Sequence, residues 1–222
     1  MEIKKAKSQQ QKLHRTNTIL DAAEHLFVEA EGELPSVIQI ANQAELAKGT
    51  VYLYFKTKEG IFLTLLERHL QKWLQDLDKQ LRRYEQHSAQ ELCEYLSQYW
   101  VSHPNLAQLY RISDAVLEAN VDDKTYAGFN TRKINEIKRV VPALQELNSL
   151  VSTQEWAELI STTIALLGSS WVMNYPQRAS ALDREKFKQD SVRLLTPFWQ
   201  ANLEKQPEQQ KPKSAWRKLL GN

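Results

Sequence analysis

The chain has 222 residues, of which 42% are hydrophobic, and it contains only 6 glycines and 7 prolines. This length allows one large or two modest domains, and the scarcity of glycine and proline favours an all-α chain. The formal net charge of +2 argues against DNA binding driven by bulk charge, and the single cysteine, Cys93, excludes an internal disulfide.

The first residues of the chain form a polar, basic segment of the sequence. Residues 1–12 are rich in Lys and Gln and lack an apolar core, so they do not resemble a signal peptide. We predict that they form a mobile basic arm ahead of a first helix at about residues 13–30. The most apolar stretch, residues 160–175, contains Ser and Thr and is shorter than the ~20 residues of a membrane span. The sequence therefore predicts a cytoplasmic protein without a membrane span.

Residues 36–58 have the pattern of two short helices around a tight turn. Ser36 follows Pro35 and occupies the position of an N-cap. Apolar residues then recur at the i, i+3, i+4 and i+7 spacing of one helix face, at Val37, Ile40, Ala41 and Ala44. This spacing predicts a short helix with one buried side.

The second of these helices exposes an unusual set of side chains. Val51 and Phe55 are four residues apart and share the face toward the core. At about 100° per residue, the opposite face and its flanks carry Gly49, Thr50, Leu53, Tyr52 and Tyr54. Such a face suits the DNA major groove, which admits one α-helix. Tyr hydroxyls and the Lys58 ammonium are donors for phosphate oxygens, and glycine permits close backbone approach.

The run from Lys48 to Glu59, KGTVYLYFKTKE, resembles the signature of the TetR family of bacterial transcriptional regulators. The upstream Ile40-Ala41 pair and the helix from Thr18 to Phe27 also match, so the close resemblance spans roughly residues 15–66. It implies a three-helix, helix-turn-helix head and a C-terminal helical body that binds a ligand and dimerises. The residues that it implies face DNA are Ser36, Lys48, Gly49, Thr50, Tyr52, Leu53, Tyr54 and Lys58. In that family Tyr52 and Lys58 would contact phosphates, while the outer face of the second helix would read bases.

Two positions depart from the family pattern. The family usually has glycine in the turn, where this chain has Glu45, and left-handed backbone costs a non-glycine residue on the order of 1 kcal/mol. The family often has a serine cap before the Lys-Gly pair, where this chain has Ala47, and such a loss typically costs ~1 kcal/mol. We expect these two departures to make the helix-turn-helix less stable. Glu45 also brings a negative charge near DNA.

The charge of the head is balanced overall but unevenly distributed. Residues 1–60 hold eight Lys/Arg and eight Asp/Glu. Five of the basic residues lie in residues 4–15, and the other three bracket the second short helix. A local electrostatic footprint of this kind is what matters for nucleic-acid binding.

Six further helices are predicted beyond the head. The fourth, beginning near Lys58, would be ~25 residues and ~38 Å long, and the others lie at about 88–103, 105–119, 123–141, 153–174 and 183–203. Pro142 is expected to kink or end the seventh helix. We predict a DNA-binding domain at 13–57, an effector-binding and dimerisation domain at 58–204, and a disordered tail at 205–222.

Two surfaces of the body are candidate sites. Aromatic residues of the middle helices can line an apolar effector pocket, although core packing explains each of them singly; they are Trp100, Tyr110, Phe129 and Trp171. A small-residue face on the eighth helix is formed by Ala165, Gly168, Ser169 and Val172. Its pattern fits ordinary close packing as well as a subunit contact. The family resemblance favours the contact, because the last two helices form the dimer in that family.

Motifs for catalysis and metal binding are missing from the sequence. The five histidines lack metal-site spacing, and no Gly-rich phosphate loop or nucleophile motif is found. We therefore expect no metal, no cofactor and no enzymatic activity. The favoured interpretation is a homodimeric repressor that a small apolar or aromatic effector releases from double-stranded operator DNA. The alternative is a helical adaptor that binds protein partners, and only DNA binding has a steep salt dependence.

Overall fold

The computed structural model of the protein describes residues 2–83, 88–176 and 180–206, with side chains from residue 9 onward. Over these residues the chain is all-α, as predicted. The helices are α1 (Glu2–Glu29), α2 (Val37–Gln43), α3 (Lys48–Tyr54), α4 (Lys58–Arg83), α5 (Ala89–Ser102), α6 (Pro104–Ile112), α7 (Asp123–Leu147), α8 (Thr153–Asn174) and α9 (Ala181–Leu203). A π-helical segment, Ser113–Leu117, and a 3-10 turn, Glu118–Asn120, follow α6 directly.

Reciprocal capping boxes begin four of the described helices. In each, a serine hydroxyl accepts a hydrogen bond from the third helical N–H, while the side chain of that residue accepts one from the serine N–H. The pairs are Ser36 with Gln39, Ser88 with Glu91, Ser152 with Glu155, and Ser180 with Asp183. The N-cap predicted at Ser36 is confirmed. The box at Ser180 uses aspartate where the motif usually has Glu or Gln.

Three helix boundaries differ from those predicted. The sixth helix, predicted to reach about residue 119, ends at Ile112 and is followed by the π-helical and 3-10 segments. The first helix begins at Glu2 rather than near residue 13, so the segment predicted as an arm is helical. It contains neither glycine nor proline, and Lys, Gln and Ala are good helix formers, so nothing stops the helix. In addition, α7 continues past Pro142 to Leu147. The residues on both sides of this proline, including Val141 and Leu144, are buried, and this packing outweighs the backbone hydrogen bond that the proline removes.

The head is built on a small core shared by four helices. The helix α1 packs against α2 and α4, and α2 packs against α3. The fully buried side chains at their centre are Ile19, Phe27, Ile40, Val51, Ile61 and Phe62. The rings of Phe27 and Phe62 lie 5.4 Å apart, centroid to centroid. Because α2 and α3 each bury one face in this core, their outer faces are held in a fixed orientation.

The body packs α4 along α7 and α5 along α9, while α8 lies against α6, α7 and α9. Its core contains five fully buried tryptophans, Trp73, Trp100, Trp156, Trp171 and Trp199. At 1.5 Å per residue, the 26 residues of α4 span roughly 39 Å. The same helix buries Phe62 in the head and Trp73 in the body, so it joins the two parts rigidly.

The predicted tail, 205–222, lies mostly outside the described residues. Its first residue, Lys205, is held in place, since its ammonium is 2.6 Å from Glu155 Oε1. The Asn148 amide also donates to the carbonyl oxygens of Asn202, Leu203 and Lys205. Among the helices described, none is both long and apolar enough to cross a membrane.

Candidate functional site

The turn between α2 and α3 has the geometry that its unusual sequence implied. Glu45 lies in left-handed backbone at φ 53°, where glycine is the usual residue. The N–H of Leu46 donates to the carbonyl of Ala41 at 2.9 Å and closes the end of α2. Ala47 is the N-cap of α3 and provides no side-chain hydrogen bond. The turn therefore carries both of the costs expected from the sequence, while its backbone hydrogen bonding remains intact.

The outer face of α3 is exposed in the way a recognition surface requires. Leu53 is 82% exposed and Tyr52 is 46% exposed, whereas Val51, directly before them, is fully buried. A Cβ atom added at Gly49 would meet no atom within 4 Å. Packing within the chain therefore explains neither the glycine nor the exposed leucine. A surface of this kind leaves room for another backbone to approach.

The other residues predicted to contact DNA lie on α3, at the start of α4 or at the start of α2. Ser36 and Lys48 are exposed, and Thr50, Tyr54 and Lys58 are half-buried. Lys48 Nζ lies 5.8 Å from the centroid of the Tyr52 ring, a cation–π contact that positions both groups. The Ser36 hydroxyl donates to Gln39 Oε1 at 2.8 Å, so its proton serves the cap of α2.

Lysines flank both ends of α3. Lys48 begins the helix, while Lys56 and Lys58 follow its last residue. Lys58 Nζ is 4.0 Å from Glu59 Oε1, a distance too long for a strong ion pair. The arrangement pairs a neutral, partly apolar face with cations at its margins. Chemically, it can read a groove and hold the phosphates beside it. No group of three His, Cys, Asp or Glu side chains in the described part of the chain is placed to hold a metal ion.

A polar cluster connects the head to the body, and sequence reasoning missed it. The Glu24 carboxylate of α1 accepts hydrogen bonds from Arg68 Nη2 at 2.6 Å, from His69 Nε2 at 2.8 Å and from the Asn105 amide. Arg68 Nη1 also contacts Asp21 Oδ1 at 2.5 Å. The hydrogen bond from His69, followed by the charges of His69 and Arg68, lowers the pKa of Glu24 to about 2 despite its partial burial. One carboxylate thus ties together α1, α4 and α6.

The four residues predicted to line an effector pocket are buried or half-buried in the body, and two of them are in direct contact. Trp100 and Tyr110 are in contact, with ring centroids 5.8 Å apart. Trp171 instead packs on Phe187 of α9 at 4.9 Å. Phe129 is buried in α7, with Lys133 Nζ 5.2 Å from its ring centroid. Helical periodicity predicted correctly that these side chains face inward, but it does not reveal which of them are neighbours.

An open groove of about 660 Å³ lies elsewhere in the body, between α5 and α9. Seven of its nine lining residues are polar or charged, and none of the four predicted residues is among them. The residues that line it are Gln90, Glu94, Glu185, Lys188, Gln189, Val192, Arg193, Thr196 and Pro197.

The small-residue face predicted on α8 is divided between two environments. Ala165 and Ser169 are exposed and Val172 is half-buried, but Gly168 is buried. A Cβ at Gly168 would lie 2.2 Å from Cε1 of Tyr110. Gly168 therefore makes room for a ring of its own chain, and its place on the outward face was predicted wrongly. The prediction omitted four exposed large apolar residues of α8 and α9, which are Met173, Leu182, Leu194 and Phe198.

Comparison with known proteins gives consistent matches along most of the chain. Residues 19–65 match the family model described as bacterial regulatory proteins, tetR family. Residues 67–190 match the one described as tetracyclin repressor-like, C-terminal domain.

Two curated relatives are regulators. The chain is 33% identical over 72 residues to the fatty acid metabolism regulator protein of Bacillus subtilis (strain 168), covering 32% of this chain and 37% of that protein. It is 26% identical over 127 residues to the HTH-type transcriptional regulator HbdR of Aromatoleum sp. (strain CIB), covering 57% of this chain and 49% of that protein. The matches span about half or less of these relatives' lengths.

A solved structure has a similar fold. The transcriptional regulator FadR from Bacillus subtilis, in complex with stearoyl-CoA, aligns with a TM-score of 0.52 and 21% identity. The alignment covers 81% of this chain and 96% of that one.

Proposed function

Because the chain belongs to the TetR family of bacterial regulatory proteins, we propose that it is a cytoplasmic transcriptional regulator that represses genes by occupying double-stranded operator DNA. The observation that carries this proposal is the outer face of α3, where Leu53 and Tyr52 are exposed between flanking lysines. In this proposal, residues 13–57 recognise DNA, and residues 58–204 bind an effector and a second copy of the chain.

The roles of the DNA-facing residues make the first prediction. Tyr52→Phe and Lys58→Ala should weaken binding to every DNA sequence, because phosphate contacts carry no base identity. Changes at Thr50 or Leu53 should instead alter the preference among operators. In a dimer, Lys58→Ala should lower the slope of log affinity against log salt by about two, since each subunit then neutralises one phosphate fewer. Fluorescence anisotropy at several salt concentrations measures both effects.

Lys186→Ala is the matched control for this series, since Lys186 is exposed on α9, in the body. It should leave affinity and salt slope unchanged. Normal DNA binding by correctly folded Tyr52→Phe and Lys58→Ala proteins would show that the phosphate assignments are wrong.

A homodimer follows from the geometry of operator recognition. Two heads must reach half-sites about one helical turn, or a multiple of it, apart. We place the dimer contact on the outer faces of α8 and α9, where small and apolar residues are exposed or half-buried. They are Ala165, Ser169, Val172, Leu194 and Phe198.

Ser169→Glu should therefore produce monomers, because it places a charge in a close contact between helices. Gln98→Glu, on the exposed side of α5, is the control and should remain dimeric. Sedimentation equilibrium distinguishes the two results. If Ser169→Glu remains a dimer of unchanged stability, the interface lies elsewhere on the protein. The proposal of DNA binding would not be affected by that result.

The effector we propose is a small molecule with a substantial apolar or aromatic part. Its site would be near Trp100 and Tyr110, where the half-buried tyrosine ring lies over Gly168 and close to the π-helical segment. Such π-helical turns occur frequently at functional sites. Since the similar FadR structure contains stearoyl-CoA, long-chain acyl-CoA is the first ligand to test.

An effector releases DNA only if its affinity differs between the free and the DNA-bound protein. DNA must then weaken effector binding by the same factor. Titration of the protein–DNA complex with stearoyl-CoA tests this, and equal affinity for the two states would exclude that effector.

A further inference from the structure

The loop between α3 and α4 is short and fixed at both ends. At its start, the N–H of Phe55 donates to the carbonyl of Val51 at 3.0 Å. At its end, the Thr57 hydroxyl caps α4 and accepts a hydrogen bond from the N–H of Gly60 at 3.1 Å. Lys56 lies between these anchors, directly after the exposed α3 face, and 78% of its side chain is exposed. The loop therefore holds Lys56 at the margin of the proposed reading surface.

Lys56 is not free in this structure, because a carboxylate of the body binds it. Its Nζ atom lies 2.6 Å from Oδ2 of Asp122. Asp122 is the N-cap of α7, and its other oxygen, Oδ1, accepts a hydrogen bond from the N–H of Thr125 at 2.8 Å. The cap fixes the carboxylate, so the pair joins the head to the body across 66 residues of sequence.

The Lys56–Asp122 pair is one that DNA can displace. The side chains are 78% and 40% exposed, and exposed ion pairs contribute little to stability, since water and salt screen them. Duplex DNA offers a phosphate charge about every 1.7 Å along its axis. A phosphate oxygen can accept from the Lys56 ammonium as the Asp122 oxygen does, while the Asp122 charge opposes its approach.

We propose that Lys56 is a further phosphate-binding residue and that Asp122 competes with DNA for it, an inference that rests on the proposed DNA-binding function. The body thereby restrains the head through an autoinhibitory contact. The competitor is well placed for regulation, because it follows the π-helical and 3-10 segments that connect α6 to α7. Movement of this connection changes the position of Asp122 and hence the availability of Lys56. This route from body to head is independent of α4.

The test uses the full-length protein and a 30-bp duplex of random sequence, because phosphate contacts do not depend on sequence. Asp122→Asn removes the charge and keeps the cap, since Asn and Asp are equally good N-caps. It should bind the duplex about fivefold more tightly per head, the upper range for an exposed ion pair. Lys56→Gln should bind more weakly, with a salt slope lower by about one per head. Anisotropy titrations at four salt concentrations measure both quantities.

Asp123→Asn is the matched control, because it removes the neighbouring carboxylate, for which no ion pair is found among the described residues. It should change affinity less than Asp122→Asn does. The double variant Lys56→Gln/Asp122→Asn should bind no more tightly than Lys56→Gln alone. Asp122→Ser, which also retains a capping side chain, should reproduce the gain if Asp122→Asn proves unstable.

The outcomes separate this inference from the proposed function. Equal gains for Asp122→Asn and Asp123→Asn, or a gain that persists without Lys56, would overturn the inference, because both indicate a general charge effect. The inference would also be overturned if the wild-type protein binds the duplex and neither Asp122→Asn nor Asp122→Ser binds it more tightly. A wild-type protein that does not bind the duplex even at low salt would overturn the proposed function, and this inference with it.

Discussion

Gly168→Ala is expected to lower the free energy of unfolding by about 2 kcal/mol, the usual scale of overpacking in a core, although alanine is the better helix former. The added Cβ would lie 2.2 Å from Cε1 and 2.3 Å from Cδ1 of Tyr110. The ring cannot simply swing away, because it is half-buried and packs edge-on against Trp100. Either the ring or α8 has to shift, and the contacts around Trp100 loosen.

The effect of Gly168→Ala on the free energy of unfolding should change sign when the Tyr110 ring is removed. In a Tyr110→Ala background the clash is gone, so Gly168→Ala should stabilise the protein by up to about 1 kcal/mol through helix propensity alone. Urea unfolding of the four proteins gives this double-mutant cycle. Destabilisation of equal size in both backgrounds would show that Tyr110 is not the obstacle.

Glu24→Gln is expected to destabilise the protein by about 2 kcal/mol. Removing one partner of a buried ion pair typically costs roughly 3–5 kcal/mol, and the Glu24 side chain, at 26% exposed, is somewhat more accessible to water. Its loss leaves His69, which is buried, without its charged acceptor. It also removes a carboxylate that bonds to both α4 and α6. Glu29→Gln is the control, because Glu29 is exposed and faces His25 at 3.3 Å.

The pH dependence of this effect follows from the lowered pKa of Glu24. In the folded protein its pKa is about 2, against an ordinary value of 4.5. A carboxyl group with a lowered folded-state pKa contributes stability that is full above its ordinary pKa and is lost as the pH falls toward the folded value. The difference between wild type and Glu24→Gln should therefore be at its full size just above about pH 5 and shrink between about pH 5 and pH 2. A difference that stays constant over this range would contradict the assignment.

The reading head could be predicted from sequence because its signals are local. The periodicity of Ile40 and Ala41, the cap at Ser36 and the exposed face around Leu53 all lie within 23 consecutive residues. Each depends on neighbours no more than a few positions away. The left-handed backbone at Glu45 was expected for the same reason, because turn geometry is set by a few residues.

The contacts between head and body could not be predicted in this way. Glu24 meets His69 and Asn105 across 45 and 81 residues, and such pairs leave no periodic trace in a single sequence. The prediction for Gly168 failed for a related reason. A small residue on a helix indicates close approach, but the pattern does not show whether the approaching group is Tyr110 of the same chain or a second subunit.

The central claim is that this protein binds operator DNA through the α3 face, and a footprint on genomic fragments at several salt concentrations tests it most directly. The proposed function predicts a protected site with two related half-sites, about one helical turn or a multiple apart. It also predicts affinity that falls steeply with salt, and protection that Lys58→Ala weakens. The absence of protection on any fragment at low salt, with the fold intact, would contradict the proposed function and favour a helical adaptor that binds proteins.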